Sequence, residues 1–187
     1  MMKNNFKLGF LAAAAVVLSI SACKKDKVVP EPEENELITK VSIKFTNVAN
    51  VNDVATVTWA DPDGDGGTAP TIGTLNLKAN TAYTFEISEV LNETASDAAD
   101  RNILNEIKEE ADEHLWVYKP GAGLNLTLVS TDKDANNLQI GIKGTAAVGA
   151  TSTGSLQVVL RHQPDVKDGS ETPGSTDFSA SFPVSIQ

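Results

Sequence analysis

The sequence predicts a mainly β protein, an antiparallel and immunoglobulin-like β-sandwich with one amphipathic helix inserted in a connection. Apolar and polar residues alternate through a series of short runs, which is the period of strands with one buried and one wet face. Segments rich in Gly, Asn, Asp and Ser separate these runs, and such residues favour turns. One stretch has helical spacing instead. Together these patterns favour a sandwich of antiparallel sheets.

The alternating runs predict the strands in chain order. In the first run Val41, Ile43 and Phe45 share one face, and the polar residues between them share the other. The apolar positions of the later runs are Ala55, Val57, Trp59; Leu75, Leu77; Tyr83, Phe85, Ile87; Leu124, Leu126, Leu128; Leu138, Ile140, Ile142; Leu156, Val158, Leu160; and Phe178, Ala180, Phe182, Val184, Ile186. Pro183 cannot donate a backbone hydrogen bond, so we expect it at an edge or a bulge.

One helix is predicted, over residues 97–114. Asp97 and Asp100 are placed to accept hydrogen bonds from the free amides of its first turn. Its apolar residues recur at spacings of one, three and four, which lines them along one side: Ile103, Leu104, Ile107, Ala111 and Leu115. We expect this helix to lie across an open end or face of the sandwich, with its acidic outer side in solvent.

Residues 1–22 have the form of a bacterial lipoprotein signal peptide. Lys3 and Lys7 precede an apolar run that is too short for a membrane span of about 20 residues. The run leads to Ile20-Ser21-Ala22-Cys23, which resembles a lipobox. That resemblance implies cleavage before Cys23 and lipidation at Cys23, and several acyl chains on one residue anchor a protein stably. The alternative is an ordinary secreted protein whose one thiol lies near the cleavage site.

Residues 23–36 are predicted to be the lipidated cysteine and a flexible linker, because the segment is charged, contains Pro30 and Pro32, and lacks apolar periodicity. Residues 37–187 have the size of a single domain. The formal net charge is −10, and it becomes −12 when the two lysines of the signal peptide are removed. So acidic a body argues against nucleic acid as a partner and fits cations or basic surfaces. A protein or glycan partner stays open.

The sequence contains none of several motifs that mark common catalytic sites. There is no G-x-S-x-G, no G-x-x-x-x-G-K-[ST], no G-x-G-x-x-G behind a strand and no H-E-x-x-H. Two histidines cannot supply a three-histidine zinc site within one chain. After Cys23 no thiol remains as a nucleophile. Paired carboxylates for glycoside hydrolysis stay open, but their abundance alone is no evidence, and we expect no enzyme.

His114 and His162 are candidate ligands for zinc or copper. If folding brings them together with Glu110 or Asp165, they form a mixed nitrogen and oxygen site. Each histidine also has an ordinary structural role: His114 as an imidazole at a helix C-terminus, and His162 as a strand-end residue hydrogen-bonded to its loop. The sequence itself has no metal-ligand spacing that decides between these interpretations.

The stretch WADPDGDGG is a candidate calcium loop. Asp61, Asp63 and Asp65 stand where positions 1, 3 and 5 of an EF-hand loop would, with Gly66 at the turn. Position 12 would be Ile72 instead of Glu, so an EF-hand is excluded and a calcium site must be completed by another loop. The alternative is an acidic turn whose Asp side chains bond their own backbone amides. A second acidic loop is a weaker calcium candidate and is expected to be a hairpin turn: Asp132, Asp134, Asn136 and Asn137.

Four segments in this order resemble a group of small lipoproteins of Bacteroidota: WADPDGDGG, LNLKANTAYTFEISEVLNE, EADEHLWVY and LRHQPDVKDGSE. The resemblance covers most of residues 37–187. It implies an outer-membrane lipoprotein, facing either the periplasm or the exterior, and no particular activity. We therefore expect a non-catalytic binding or structural module of the cell envelope, stabilised by calcium. The alternative is a metal-handling envelope protein that uses His114 and His162.

Overall fold

The structure is a computed structural model that describes residues 36–64 and 66–187. The predicted signal peptide, Cys23, nearly all of the linker and Asp65 lie outside the described residues. Within the described part, no helix is long and apolar enough to cross a membrane. The elements are β1 (Lys40–Asn47), β2 (Val54–Ala60), β3 (Thr71–Ile72), β4 (Leu75–Leu77), β5 (Ala82–Leu91), α1 (Ile103–Glu109), β6 (His114–Pro120), β7 (Leu126–Ser130), β8 (Lys143–Val148), β9 (Ser152–His162) and β10 (Ser175–Ile186).

The strands form two sheets with the apolar core between them. The larger sheet has the order β3-β2-β1-β5-β8-β7 and the smaller has the order β4-β10-β9-β6. Every neighbouring pair is antiparallel except β4 and β10, which are parallel. Alternation sets the inward faces: Trp59 of β2 packs edge-on against Phe178 of β10, with ring centroids 5.1 Å apart. The predicted mainly β fold with antiparallel sheets is confirmed.

Two parts of the strand prediction need correction. Residues 138–142 do not form a strand: Gly141 has φ +86°, and a Cβ there would lie 2.5 Å from the carbonyl oxygen of Trp116. The chain passes too close to β6 at this point for an ordinary side chain. The sequence pattern also does not predict β8, because most residues of this strand are small and give no clear apolar alternation. A Cβ on Gly144 would lie 2.6 Å from the ring of Phe85, so small size is what the packing requires.

The helix is shorter than predicted. It covers Ile103–Glu109 instead of residues 97–114, and its N-cap is Asn102, whose side chain accepts a hydrogen bond from the amide of Asn105. Asp97 instead accepts from the amide of Ala99, two residues along the chain. The buried face agrees with the prediction and contacts β5: Ile103, Leu104 and Ile107.

His114 begins a strand and does not end the helix, which corrects the prediction. The amide of Glu113 donates to the carbonyl of Glu110 at 2.9 Å in a turn, and β6 starts immediately afterwards. The residues that follow include Trp, Val and Tyr, which favour strands. Pairing between β6 and β9 then sets His114 directly opposite His162. The two histidines therefore meet at one end of the sandwich.

Candidate metal centre

Metal-ligating side chains from several parts of the chain meet at the end of the sandwich where β6 begins. The two histidines come from the start of β6 and the end of β9, while Glu106 lies in α1, Glu110 directly follows α1 and Glu36 precedes β1. A further acid comes from the start of β10. We call this group the His–carboxylate cluster: Glu36, Glu106, Glu110, His114, His162 and Asp177.

A β-bulge brings Asp177 into this cluster. Along β10, Thr176 stands opposite Arg161 and Phe178 stands opposite Leu160, so Asp177 is an extra residue in the pairing with β9. Strict alternation with Phe178 inward would turn Asp177 towards solvent. At the bulge its side chain is instead fully buried.

Glu36 is held beside the cluster by the chain that follows it. The amide of Thr39 donates to the carbonyl of Leu91, and the carbonyl of Thr39 accepts from the amide of Asp61, both at 2.8 Å. The hydroxyl of Thr39 accepts from the amide of Glu93, also at 2.8 Å. These bonds fix the approach to β1, and the Glu36 side chain is only 12% exposed.

The distances within the cluster are short enough for a common ligand. Nε2 of His114 lies 4.0 Å from Oε1 of Glu36 and 3.9 Å from Oδ2 of Asp177. Ligand atoms of Glu110, His114 and His162 lie within 4.8 Å of one another. The same holds for Glu36, Glu106 and Glu110. Glu110 is common to both groups and links them.

His114 is oriented as a metal-binding histidine usually is. Its Nδ1 lies 3.1 Å from the backbone carbonyl oxygen of Glu110, so we assign the ring proton to Nδ1, which donates to that oxygen. The Nε2 lone pair then faces Glu36 and Asp177, and among the described residues Nε2 has no hydrogen-bond partner. Burial lowers the pKa of His114 to about 4, so the imidazole is neutral at pH 7. A backbone bond at one ring nitrogen and a lone pair at the other is the usual arrangement around bound metals.

The carboxyl groups of the cluster carry excess negative charge. Burial, followed by repulsion from Glu106, Asp177 and Glu110, raises the pKa of Glu36 to about 8. Burial and then neighbouring carboxylates, Glu110 foremost, also raise the pKa of Glu106. Within residues 36–64 and 66–187, no lysine or arginine forms an ion pair with Glu36, Glu106 or Glu110. Glu106 and Glu110 are exposed to solvent, whereas the buried carboxyl group of Glu36 favours a bound proton or a nearby cation over the bare carboxylate.

The two predicted histidine ligands lie beside each other, but their rings are stacked instead of pointing at a common position. Their rings are stacked, with centroids 4.8 Å apart and planes only 3° from parallel. His162 also places Nε2 3.6 Å from Oε2 of Glu113. Of the two acids proposed to join them, Glu110 does so and Asp165 is exposed in a turn with φ +59°. A helix C-terminal role for His114 is wrong, because the residue is a buried part of β6.

The candidate calcium loop lies close to this end of the sandwich. Asp63 is exposed and accepts a hydrogen bond from the amide of Thr68 at 2.7 Å, and that bond holds its pKa below the ordinary value. Such a bond is what an acidic turn would make. Asp61 is 9% exposed and lines a cleft of about 310 Å³ together with Glu36 and Asp177. Asp65, the third predicted ligand, lies outside the described residues, so calcium binding stays a prediction.

The second acidic loop has a structural role. Asp134 forms a 2.7 Å ion pair with Lys167, and the two side chains are 0% and 2% exposed. Asp132 accepts hydrogen bonds from the amides of Gly141 and Ile142 at 3.1 and 2.9 Å. These bonds hold residues 138–142 in the irregular path described above.

Sequence reasoning missed three members of the cluster. The sequence pattern places Glu36 in the linker and gives Asp177 no role, and it puts Glu106 on a solvated helix face, where the structure indeed shows it exposed. The one available signal for Asp177 is a charged residue next to a run of inward apolar positions.

Comparisons with known proteins add no relatives, since the chain has no significant match among family models, curated proteins or solved structures.

Proposed function

We propose that this chain is a non-catalytic module of the cell envelope that binds a divalent metal ion at the His–carboxylate cluster. The observation that carries the proposal is His114, a fully buried neutral imidazole whose Nε2 lies within 4.0 Å of two carboxylates. Imidazole and carboxylate together form a typical donor set for divalent transition metals. A binding module for an unidentified protein or glycan is the broader alternative.

Zinc fits the proposal better than cuprous copper. Soft cuprous ions favour thiolate and thioether ligands. The one cysteine and the two methionines of the chain stand at positions 23, 1 and 2, so residues 24–187 contain no sulfur ligand. Nitrogen and oxygen donors of the cluster suit zinc, which serves as the probe below.

The proposed setting is the outer membrane, with the domain tethered through lipid at Cys23. Support for this setting comes from the lipobox sequence and the charged linker. The domain then faces either the periplasm or the exterior. Metabolic labelling with a palmitate analogue tests the anchor: label should enter the wild-type chain and be lost in Cys23→Ala. Equal labelling of both chains contradicts it.

The immunoglobulin-like character of the sandwich and the calcium loop at Asp61, Asp63 and Asp65 belong to the same proposal. Two packed sheets of antiparallel strands support the first. For the second, outside the cytosol millimolar calcium fills even weak oxygen sites. We assign calcium a structural role at this loop, separate from the metal at His114.

Equilibrium dialysis of the full chain, purified in detergent and stripped with chelator, tests the metal proposal. We expect one zinc ion per folded chain to be retained in the presence of millimolar calcium, because calcium favours six to eight oxygen ligands over imidazole. The urea-unfolded chain is the matched control, since it keeps the same carboxylates without their arrangement. Equal zinc retention by folded and unfolded chains would mean adventitious binding and contradict the proposal.

A further inference from the structure

The stacking of the two histidine rings limits how the cluster can hold an ion. A metal bound to imidazole lies in the plane of the ring, about 2.0–2.1 Å from the nitrogen. The planes of His114 and His162 are stacked and only 3° from parallel, so they share no point at which an ion could lie in both. The pair therefore cannot chelate one ion as the rings stand.

One ring would have to turn for a two-histidine site, and His114 is fixed. It is fully buried, and its Nδ1 is tied to the carbonyl oxygen of Glu110. His162 is 14% exposed at the end of β9 and already has Glu113 as a neighbour. The two histidines therefore have different positions. His114 directs its Nε2 lone pair towards the carboxyl groups of the cluster, whereas the ring of His162 stacks against the ring of His114.

We infer that the metal site is a one-histidine, carboxylate-rich site with Nε2 of His114, Glu36 and Glu110 as its ligands, and that His162 is not a ligand. This inference rests on the proposed function and specifies its ligands. Glu36 is 4.0 Å from His114 Nε2, and Glu110 belongs to both groups of ligand atoms that lie within 4.8 Å of one another. Glu106 is within reach of the remaining position.

The distance between Glu36 and His114 needs only a small contraction to fit an ion. Ligand atoms around a tetrahedral zinc ion with bonds of about 2.0–2.2 Å are separated by roughly 3.3–3.6 Å. The observed 4.0 Å between Glu36 and His114 exceeds this by less than a bond length. A cation between Glu36 and Glu110 would offset the repulsion that these two carboxylates exert on each other.

Glu36 gives this site a particular consequence for the chain. It is the last residue of the predicted linker, whereas Glu110 follows α1 and His114 begins β6. A bound ion therefore joins the linker end of the chain to the helix and to the smaller sheet. Loss of this one carboxylate should weaken binding strongly although it lies outside the predicted domain of residues 37–187.

Matched variants of the full chain test the ligand assignment by zinc titration against a chelating dye. We expect the dissociation constant to rise at least tenfold in Glu36→Gln and Glu110→Gln, because each keeps its volume but loses a charged donor. The dissociation constant of His162→Gln should stay within about threefold of the wild-type value. The same is expected of Glu109→Gln, which changes an exposed acid of α1. Far-ultraviolet circular dichroism checks that every variant is folded.

The outcomes separate this inference from the proposed function. If the wild-type chain has no stoichiometric zinc site, the proposed function itself is wrong. If the wild type binds zinc but His162→Gln weakens binding as much as Glu110→Gln, a two-histidine site is present and this inference is overturned. Unchanged binding in Glu36→Gln overturns it as well.

Discussion

Two neighbouring groups of charged side chains in this protein are built in opposite ways. Asp134 and Lys167 form an ion pair in which each charge has an opposite partner. Each also bonds to the backbone: Asp134 accepts from the amides of Asn136 and Leu138, and Lys167 donates to the carbonyl of Ala111. The His–carboxylate cluster gathers four acids around a neutral histidine. The first group is complete as a structural element, whereas Glu36, Glu106 and Glu110 of the second form no ion pair with a lysine or arginine among the described residues.

This difference teaches how to separate structural charges from a binding site. Buried ionised groups persist in folded proteins when they are paired and hydrogen-bonded. A mostly buried carboxyl group without an ion-pair partner, such as Glu36, is instead favoured with a bound proton or beside a cation. By this criterion the acidic loop at residues 132–137 is part of the scaffold, and the end of the sandwich at His114 is the candidate site.

Breaking the complete pair should produce the largest effect. Lys167→Met leaves Asp134 buried without its cation, and we expect the free energy of unfolding to fall by about 3–5 kcal/mol. Urea unfolding at pH 7 in chelator measures this. Adding Asp134→Asn should recover more than half of the loss, because the buried charge is then gone while an acceptor oxygen remains.

The exposed pair Lys119 and Glu171 is the control for that experiment. Its atoms also lie 2.7 Å apart, but the two side chains are 43% and 48% exposed. Lys119→Met should cost less than about 1 kcal/mol. A loss in Lys167→Met no larger than in Lys119→Met would contradict the contrast between buried and exposed pairs.

The incomplete cluster should make the metal-free protein sensitive to pH in the opposite direction from a paired carboxylate. The pKa of Glu36 is raised to about 8 by burial and by repulsion from Glu106, Asp177 and Glu110. Its protonated form is favoured in the folded state, so the corresponding stability is lost as the pH rises through 8. His114, with a pKa of about 4, adds no change above pH 7.

Unfolding in chelator at several pH values tests this sign. We expect the free energy of unfolding to fall by about 1–2 kcal/mol between pH 7 and pH 9 in the wild type. Glu36→Gln should flatten the profile, and Glu93→Gln, an exposed acid outside the cluster, should leave it unchanged. The same fall in wild type and Glu36→Gln would place its origin elsewhere.

Calcium at the acidic loop should have the smallest effect. A weak extracellular-type site with a dissociation constant of about 0.1–1 mM gives roughly 0.4–1.4 kcal/mol of stabilisation at 1 mM calcium. Melting the full chain in calcium and in chelator measures it, and Asp63→Asn should reduce the difference. Identical midpoints in both buffers return the loop to an acidic turn held by the bond between Asp63 and Thr68.

The parts of the fold that depend on local pattern could be predicted from the sequence. Alternation in β1, β2, β5, β9 and β10 identified strands and their inward residues. It failed where packing overrides the pattern: Gly144 is small because the ring of Phe85 occupies the space a side chain would need. Helical spacing continued past the true end of α1, since Ala111 and Leu115 fit the same stripe although a turn and β6 follow.

The candidate site could be predicted only in part. His114, His162 and Glu110 were candidates by residue type, but their meeting depends on the register between β6 and β9. The inward position of the Asp177 side chain depends on a β-bulge that the local sequence does not predict. Simple alternation with Phe178 would instead direct this side chain towards solvent. Ring orientation, which removes His162 from the ligand set, is a property of packing alone.

The most direct test of the central claim is the position of the metal itself. Crystals of the protein grown with zinc can be measured at the zinc absorption edge, where an anomalous difference map locates the ion. The account predicts one strong peak about 2.0–2.2 Å from Nε2 of His114 and from a carboxylate oxygen of both Glu36 and Glu110. Zinc found only on exposed carboxylates, with Nε2 of His114 free of metal, would contradict it.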